Sequence, residues 1–139
     1  MNETRLRTVL LVVAVYHLVL GAWMFFAPGT FYDSLGKFPP ENHHYIKDAA
    51  TFYIAFGIGA FIAVRRRAWR APVLVVITIE YAIHAINHLI DVGKASTNFI
   101  GYFDFFSLAL LTVILAAITT FAWRVQPEPA STEEEEQHS

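Results

Sequence analysis

The fold is decided by residues 72–92, which read PVLVVITIEYAIHAINHLIDV. The stretch is apolar enough, and at about 20 residues long enough, to cross the hydrocarbon core of a bilayer as a helix. Ionisable side chains interrupt it at Glu80, His84, His88 and Asp91. With Asn87 they fall within an arc of about 100° on a helix, so they share one face. Such groups are costly at membrane depth, so they predict a functional site facing other helices or a water-filled cavity.

Three further apolar stretches have lengths suited to spanning a membrane. They cover approximately residues 6–27, 49–64 and 99–123. The whole chain of 139 residues is 55% hydrophobic and 15% aromatic, which is too apolar for an ordinary soluble domain of this size. We therefore predict an all-α, integral membrane four-helix bundle over residues 1–124, followed by a disordered acidic cytoplasmic tail over 125–139.

Helix ends are predicted from prolines, glycines and capping residues. Pro28 and Gly29 end the first span, because proline cannot continue a helix. The second helix is expected to begin near Pro40, a turn or two before its apolar core. The polar residues 93–98 form a short connection, in which Asn98 is expected to cap the fourth helix.

The orientation in the membrane follows from the distribution of basic residues. Arginines lie before the first span, between the second and third, and after the fourth: Arg5, Arg7, Arg65, Arg66, Arg67, Arg70 and Arg124. Short loops rich in Lys and Arg remain in the cytoplasm, so both termini are predicted to be inside. At about 1.5 Å of rise per residue, this orientation puts Glu80 near the middle of the membrane, and His88 and Asp91 in the outer leaflet.

The other helices offer polar side chains at similar depths. His17 lies near the centre of the first helix, and Asp48 follows His44 by one turn at the outer end of the second. Asp104 on the fourth helix is expected to lie level with His88, because that helix runs inward. The sequence therefore predicts a site assembled between helices in the outer half of the bundle.

Three kinds of chemistry fit these residues. His84 and His88 are one turn apart and can direct two ring nitrogens at one divalent transition metal ion, with further ligands drawn from Glu80, Asp91, Asp104 and Asp48. Alternatively, His17 and His84 could ligate a haem from opposite sides. The third alternative is the transfer of protons, or of a small polar substrate, by Glu80 and the histidines.

Other function classes are less consistent with the sequence. The chain has no cysteine, so disulfides and thiolate chemistry are excluded. No motif for a serine nucleophile, a nucleotide phosphate or a dinucleotide is present, and no basic face suits nucleic acid. The polar stripe could also serve only to hydrogen-bond the helices, to dock a membrane-protein partner or to join a homo-oligomer. Whether any reaction is catalysed stays open.

A family resemblance adds to these expectations. The chain has four short spans, the sequence Phe25-Phe26-Ala-Pro28 at the end of the first helix, an aromatic outer loop and a basic connection after the second helix. In these features, residues 6–124 resemble the DoxX-like group of small bacterial membrane proteins. The resemblance implies a multi-pass protein of the bacterial plasma membrane with a redox or accessory role, and it assigns no functional residue.

Overall fold

The computed structural model describes residues 2–125, and it is all-α. Five α-helices occupy this part of the chain: α1 (Glu3–Phe26), α2 (Pro28–Ser34), α3 (His43–Arg65), α4 (Arg70–Ile90) and α5 (Asn98–Arg124). Short 3₁₀ turns, Arg67–Trp69 and Val92–Lys94, precede and follow α4. The four long helices are apolar and long enough to cross a membrane, as the sequence predicts.

The helix boundaries correct the sequence-based predictions in three places. The second long helix does not begin near Pro40; it begins at His43, because the Asn42 side chain accepts hydrogen bonds from the His44 and Tyr45 amides. The fourth is capped by Thr97 rather than Asn98. The short helix α2, with Pro28 in its first turn, was not expected. The predicted acidic tail, apart from Val125, lies outside the described residues.

The bundle consists of two antiparallel helix pairs, α1 with α3 and α4 with α5. The first pair is close-packed because glycines remove side chains from the contact. A Cβ at Gly57 would lie 2.7 Å from the Leu18 Cγ, and one at Gly21 would lie 3.0 Å from the Ile54 backbone nitrogen. Small residues at such crossings let helix backbones approach closely in membrane proteins.

One end of the bundle, here called the arginine end, contains Glu3, the basic connection 65–70 and Arg124. The buried Arg70 side chain donates hydrogen bonds to the Ala63 carbonyl at 3.1 Å and the Val64 carbonyl at 3.3 Å. It also pairs with Glu3 at 2.6 Å. Arg70 therefore occupies backbone carbonyls at the end of α3 and ties the start of α1 to the connection.

All four long helices contribute apolar side chains to the half of the bundle nearest the arginine end. The core there consists of Leu6, Leu10, Ala63, Ala71, Leu74 and Ala122. A second cluster fills the middle with Ala14, Ala60, Ile77, Tyr81 and Leu115.

The opposite end, here called the loop end, contains the connections 35–42 and 91–97. Its apolar cluster comprises Met24, Ala50 and Tyr53, which come from α1 and α3 alone. Between α4 and α5 this half instead contains polar side chains.

Candidate functional site

The polar side chains of α4 form a row toward the loop end. The Glu80 carboxylate oxygen Oε1 lies 3.2 Å from Nδ1 of His84. One turn further, Nε2 of His84 lies 3.1 Å from Nε2 of His88, at hydrogen-bond distance. The spacing of one turn on a helix places such side chains next to each other, and here it joins three of them in sequence.

The row continues onto α5 through Asp104. Its Oδ2 atom lies 4.0 Å from Nδ1 of His88, at the limit of an ion-pair contact. Glu80, His84, His88 and Asp104 are named the polar chain below. Their side chains are between 16% and 30% exposed, so the chain is half-buried rather than solvated.

Aromatic side chains border the polar chain on the side of α1 and α3. The Tyr53 hydroxyl hydrogen-bonds Nδ1 of His84 at 3.4 Å. The Tyr53 ring stacks on His17, with ring centroids 5.7 Å apart. His17 also contacts Tyr16, Phe56 and Tyr81 edge-on. Tyr53 therefore separates His17 from the polar chain.

Several buried polar atoms at this site have no hydrogen-bond partner among residues 2–125. They are Nε2 of His17, Oε2 of Glu80, Nδ1 of His88 and Oδ2 of Asp104. Burying such an atom without a partner is unfavourable, and most buried polar atoms in proteins have one. All four lie at or next to the polar chain, so this region has hydrogen-bonding capacity that the described side chains leave unused.

The structure brings together four of the predicted metal ligands and leaves two apart. Glu80, His84, His88 and Asp104 form the polar chain, and the predicted level of Asp104 with His88 is confirmed. Asp91 does not join them: α4 ends at Ile90, and the Asp91 side chain instead pairs with Lys94 at 2.7 Å.

Asp48, the second predicted ligand left apart, and the arc residue Asn87 also lie outside the polar chain. Asp48 is exposed and contacts His44 at 3.4 Å, as expected for residues one turn apart. Asn87 shares the predicted arc on α4 but is also exposed. Neither residue faces the groups with which it was expected to assemble.

The side chains around His84 and His88 do not converge on one point, as a full set of protein ligands to one metal ion would. Within residues 2–125, no three His, Cys, Asp or Glu side chains are grouped as a metal ligand set. The reason is visible in the contacts: Glu80 and Asp104 approach the Nδ1 atoms, whereas the two Nε2 atoms face each other. The carboxylates thus lie on the far side of each ring from the point where the rings meet.

His17 and His84 do not form an open haem pocket. Nδ1 of His17 donates to the Val13 carbonyl at 2.7 Å, and its ring is only 2% exposed. Because the Tyr53 ring lies against His17 and its hydroxyl contacts His84, a haem could enter only if Tyr53 moved away. The side chains as placed do not fit this group.

The sequence did not reveal two of the contacts made at the site. Phe38, from the connection between α2 and α3, packs edge-on against His88 with ring centroids 4.7 Å apart. Tyr81, 2% exposed on α4, packs against His17. Tyr81 follows Glu80 directly, so helical spacing could have placed it at this depth, but nothing local predicts the position of Phe38.

Comparisons with protein-family models, with curated proteins and with solved structures gave no match. The resemblance to the DoxX-like group therefore stays a prediction.

Proposed function

We propose that this chain is a multi-pass membrane protein that binds and releases protons at the polar chain. The observation that carries the proposal is the contact of 3.1 Å between the two Nε2 atoms of His84 and His88. A hydrogen bond between two ring nitrogens requires one proton, carried by one nitrogen and accepted by the other. The pair is therefore suited to holding a single shared proton.

The Nδ1 atoms of the two rings connect the histidine pair to the carboxylates of Glu80 and Asp104. When His84 is doubly protonated, its Nδ1–H faces Glu80, and its Nε2–H donates to His88. His88 then carries its own proton on Nδ1, toward Asp104. Each imidazole can accept a proton at one nitrogen and release one from the other, which makes histidine a proton shuttle near neutral pH. The polar chain supplies two such rings in succession.

Proton transfer along the chain is described by three steps. A proton leaves Glu80 for Nδ1 of His84, while another passes from Nε2 of His84 to Nε2 of His88. The proton on Nδ1 of His88 then goes to Asp104. The last gap, 4.0 Å, is longer than a hydrogen bond, so a small side-chain rotation has to close it before transfer. The net result is one proton moved from Glu80 to Asp104.

The orientation in the membrane determines which side of the membrane the polar chain is nearer to. We place the arginine end in the cytoplasm, because its loops contain most of the basic residues, including Arg65, Arg66, Arg67 and Arg70. The polar chain then lies in the outer half of a bacterial plasma membrane, with both termini inside. The apolar core nearest the arginine end supports exchange of protons with the outer side, rather than passage across the bundle.

The test is nuclear magnetic resonance of the protein in lipid nanodiscs, with ¹⁵N-labelled histidine. We expect the Nε2 signals of His84 and His88 to report one shared proton and to titrate together. In the variant His88→Gln, His84 should titrate alone. The control is His44→Gln, since His44 is exposed and contacts Asp48 at the same end of the bundle. Independent titration of His84 and His88 in the unsubstituted protein would contradict the proposal.

A metal ion is the second candidate for the same position. Two nitrogens at about 2.0–2.1 Å from one zinc ion, at the tetrahedral angle of about 109°, are about 3.3–3.4 Å apart. The two Nε2 atoms, at 3.1 Å, are slightly closer than this. Carboxylates commonly hydrogen-bond the other nitrogen of a metal-bound histidine, which is where Glu80 and Asp104 lie. On this alternative the carboxylates orient the rings and are not ligands.

The nanodisc sample also separates the two candidates. Zinc should be added to the ¹⁵N-labelled protein and the metal content measured after dialysis. Retention of one zinc per chain, lost in His88→Gln but kept in His44→Gln, would favour the metal. Absence of retained zinc together with coupled titration would leave the proton as the occupant.

A further inference from the structure

The connection between α2 and α3, residues 35–42, lies across the polar chain at the loop end. This segment is named the strap. Its Phe38 side chain is half-buried, and the ring meets the His88 ring edge-on at 4.7 Å and 84°. His88 is the histidine of the polar chain nearest the loop end. An apolar side chain from the strap therefore covers part of the His88 ring, which is 16% exposed.

Within the described residues, one backbone hydrogen bond joins the strap to the α4–α5 connection. Ser96 donates a backbone hydrogen bond to the Lys37 carbonyl at 2.9 Å. Among residues 2–125, the other backbone bonds of the strap stay local: Leu35 and Gly36 donate to the Phe31 carbonyl, Phe38 donates to the Gly36 carbonyl, and the Asn42 carbonyl accepts from Ile46. Segments with few backbone bonds and few buried contacts open locally at low cost. The strap is thus suited to detach while the helices stay packed.

Toward the arginine end, side chains of the described part of the chain close the bundle. On the side of Glu80 nearer the arginine end, the Thr78 and Thr119 hydroxyls hydrogen-bond each other at 2.9 Å. Beyond them the core nearest the arginine end is filled by side chains that are at most 1% exposed.

We propose that the strap controls access to the polar chain from the loop end. It must lift before a proton donor or a hydrated cation can reach His88. The role of the strap in proton exchange rests on the proposed function. Whether the strap restricts access to His88 does not, because a chemical probe of the imidazoles can test it.

A reversible disulfide tests the strap directly. The natural chain has no cysteine, so Lys37→Cys/Ser96→Cys introduces one pair of thiols. The hydrogen bond between the Ser96 amide and the Lys37 carbonyl makes the two residues neighbours, as a disulfide requires. The protein is treated with diethylpyrocarbonate in nanodiscs, and mass spectrometry measures the modification rate of each histidine. We expect oxidation to slow modification of His88 at least about tenfold, and reduction to restore it.

Controls within the same sample separate access from general effects. The exposed His44 should react at equal rates in the oxidised and reduced forms. The variant Phe38→Ala should raise the His88 rate by about threefold or more, whereas Phe99→Ala, which removes a 76% exposed ring at the same end, should not. Equal His88 rates with and without the disulfide would overturn the proposal, as would failure of the two thiols to cross-link.

The outcome is independent of what the polar chain holds. If the disulfide slows modification by the probe but His84 and His88 titrate separately, control of access by the strap is supported and the shared proton is contradicted. If the rings titrate together but the disulfide has no effect, the reverse holds.

Discussion

The two halves of the bundle are packed by different means. Near the arginine end, all four long helices meet through apolar side chains such as Leu10 and Leu74, which are fully buried. Near the loop end, the buried apolar cluster comes from α1 and α3, while α4 and α5 face each other through His88 and Asp104. The half near the arginine end is packed by buried apolar side chains, as is usual for a helical bundle. The second half places ionisable side chains between α4 and α5 in place of apolar ones.

The largest expected effect is loss of stability when the core near the arginine end is truncated. Leu74→Ala removes a fully buried side chain, and comparable substitutions cost about 2–5 kcal/mol in the free energy of unfolding. The measurement is a denaturant titration of the protein in detergent micelles. The matched control is Leu89→Ala on the same helix, whose side chain is 49% exposed. Equal losses from both variants would show that the two halves do not differ as described.

A smaller effect is expected at the arginine end itself. Arg70→Met leaves the Ala63 and Val64 carbonyls without their donor, at a cost of about 1–3 kcal/mol in the free energy of unfolding. Arg67→Met is the control, because the Arg67 side chain is exposed and, within residues 2–125, hydrogen-bonds the Glu3 side chain alone. It should destabilise the protein less in the same titration. A larger loss from the Arg67 variant would contradict the role given to Arg70.

Much of the fold was predictable because its causes are local. Apolar runs of sufficient length set the four long helices, and the one-turn spacing of Glu80, His84 and His88 set their common face. The position of Asp104 followed from helical rise alone. Asp91 was misplaced because the same periodicity was extended past Ile90, where the helix ends and the side chain turns toward Lys94.

The contacts of the site with its surroundings could not be obtained in this way. Phe38 reaches His88 only because the strap folds back across the loop end, which no period in the sequence describes. Tyr53 meets His84 through the packing of α3 against α4, and the rotation of each helix about its axis depends on all its neighbours. Such contacts are properties of the assembled bundle.

The smallest expected effect on stability is at the polar chain. His88→Leu removes one hydrogen bond to His84 on the same helix, and side-chain pairs one turn apart contribute about 0.2–0.5 kcal/mol. Leucine also removes the unpartnered Nδ1 atom and keeps an apolar contact with Phe38. We therefore expect the free energy of unfolding to change by less than about 1 kcal/mol, while the shared proton is lost.

This last variant decides how the halves should be compared. A small change in the denaturant titration, together with altered titration of His84, would mean that the polar chain is dispensable for folding and kept for its chemistry. A loss as large as that of Leu74→Ala would instead make His88 a packing residue, and the loop half would then be a second structural core built from polar groups. The difference between the two halves would in that case concern only the type of contact, and the proton site would lose its main support.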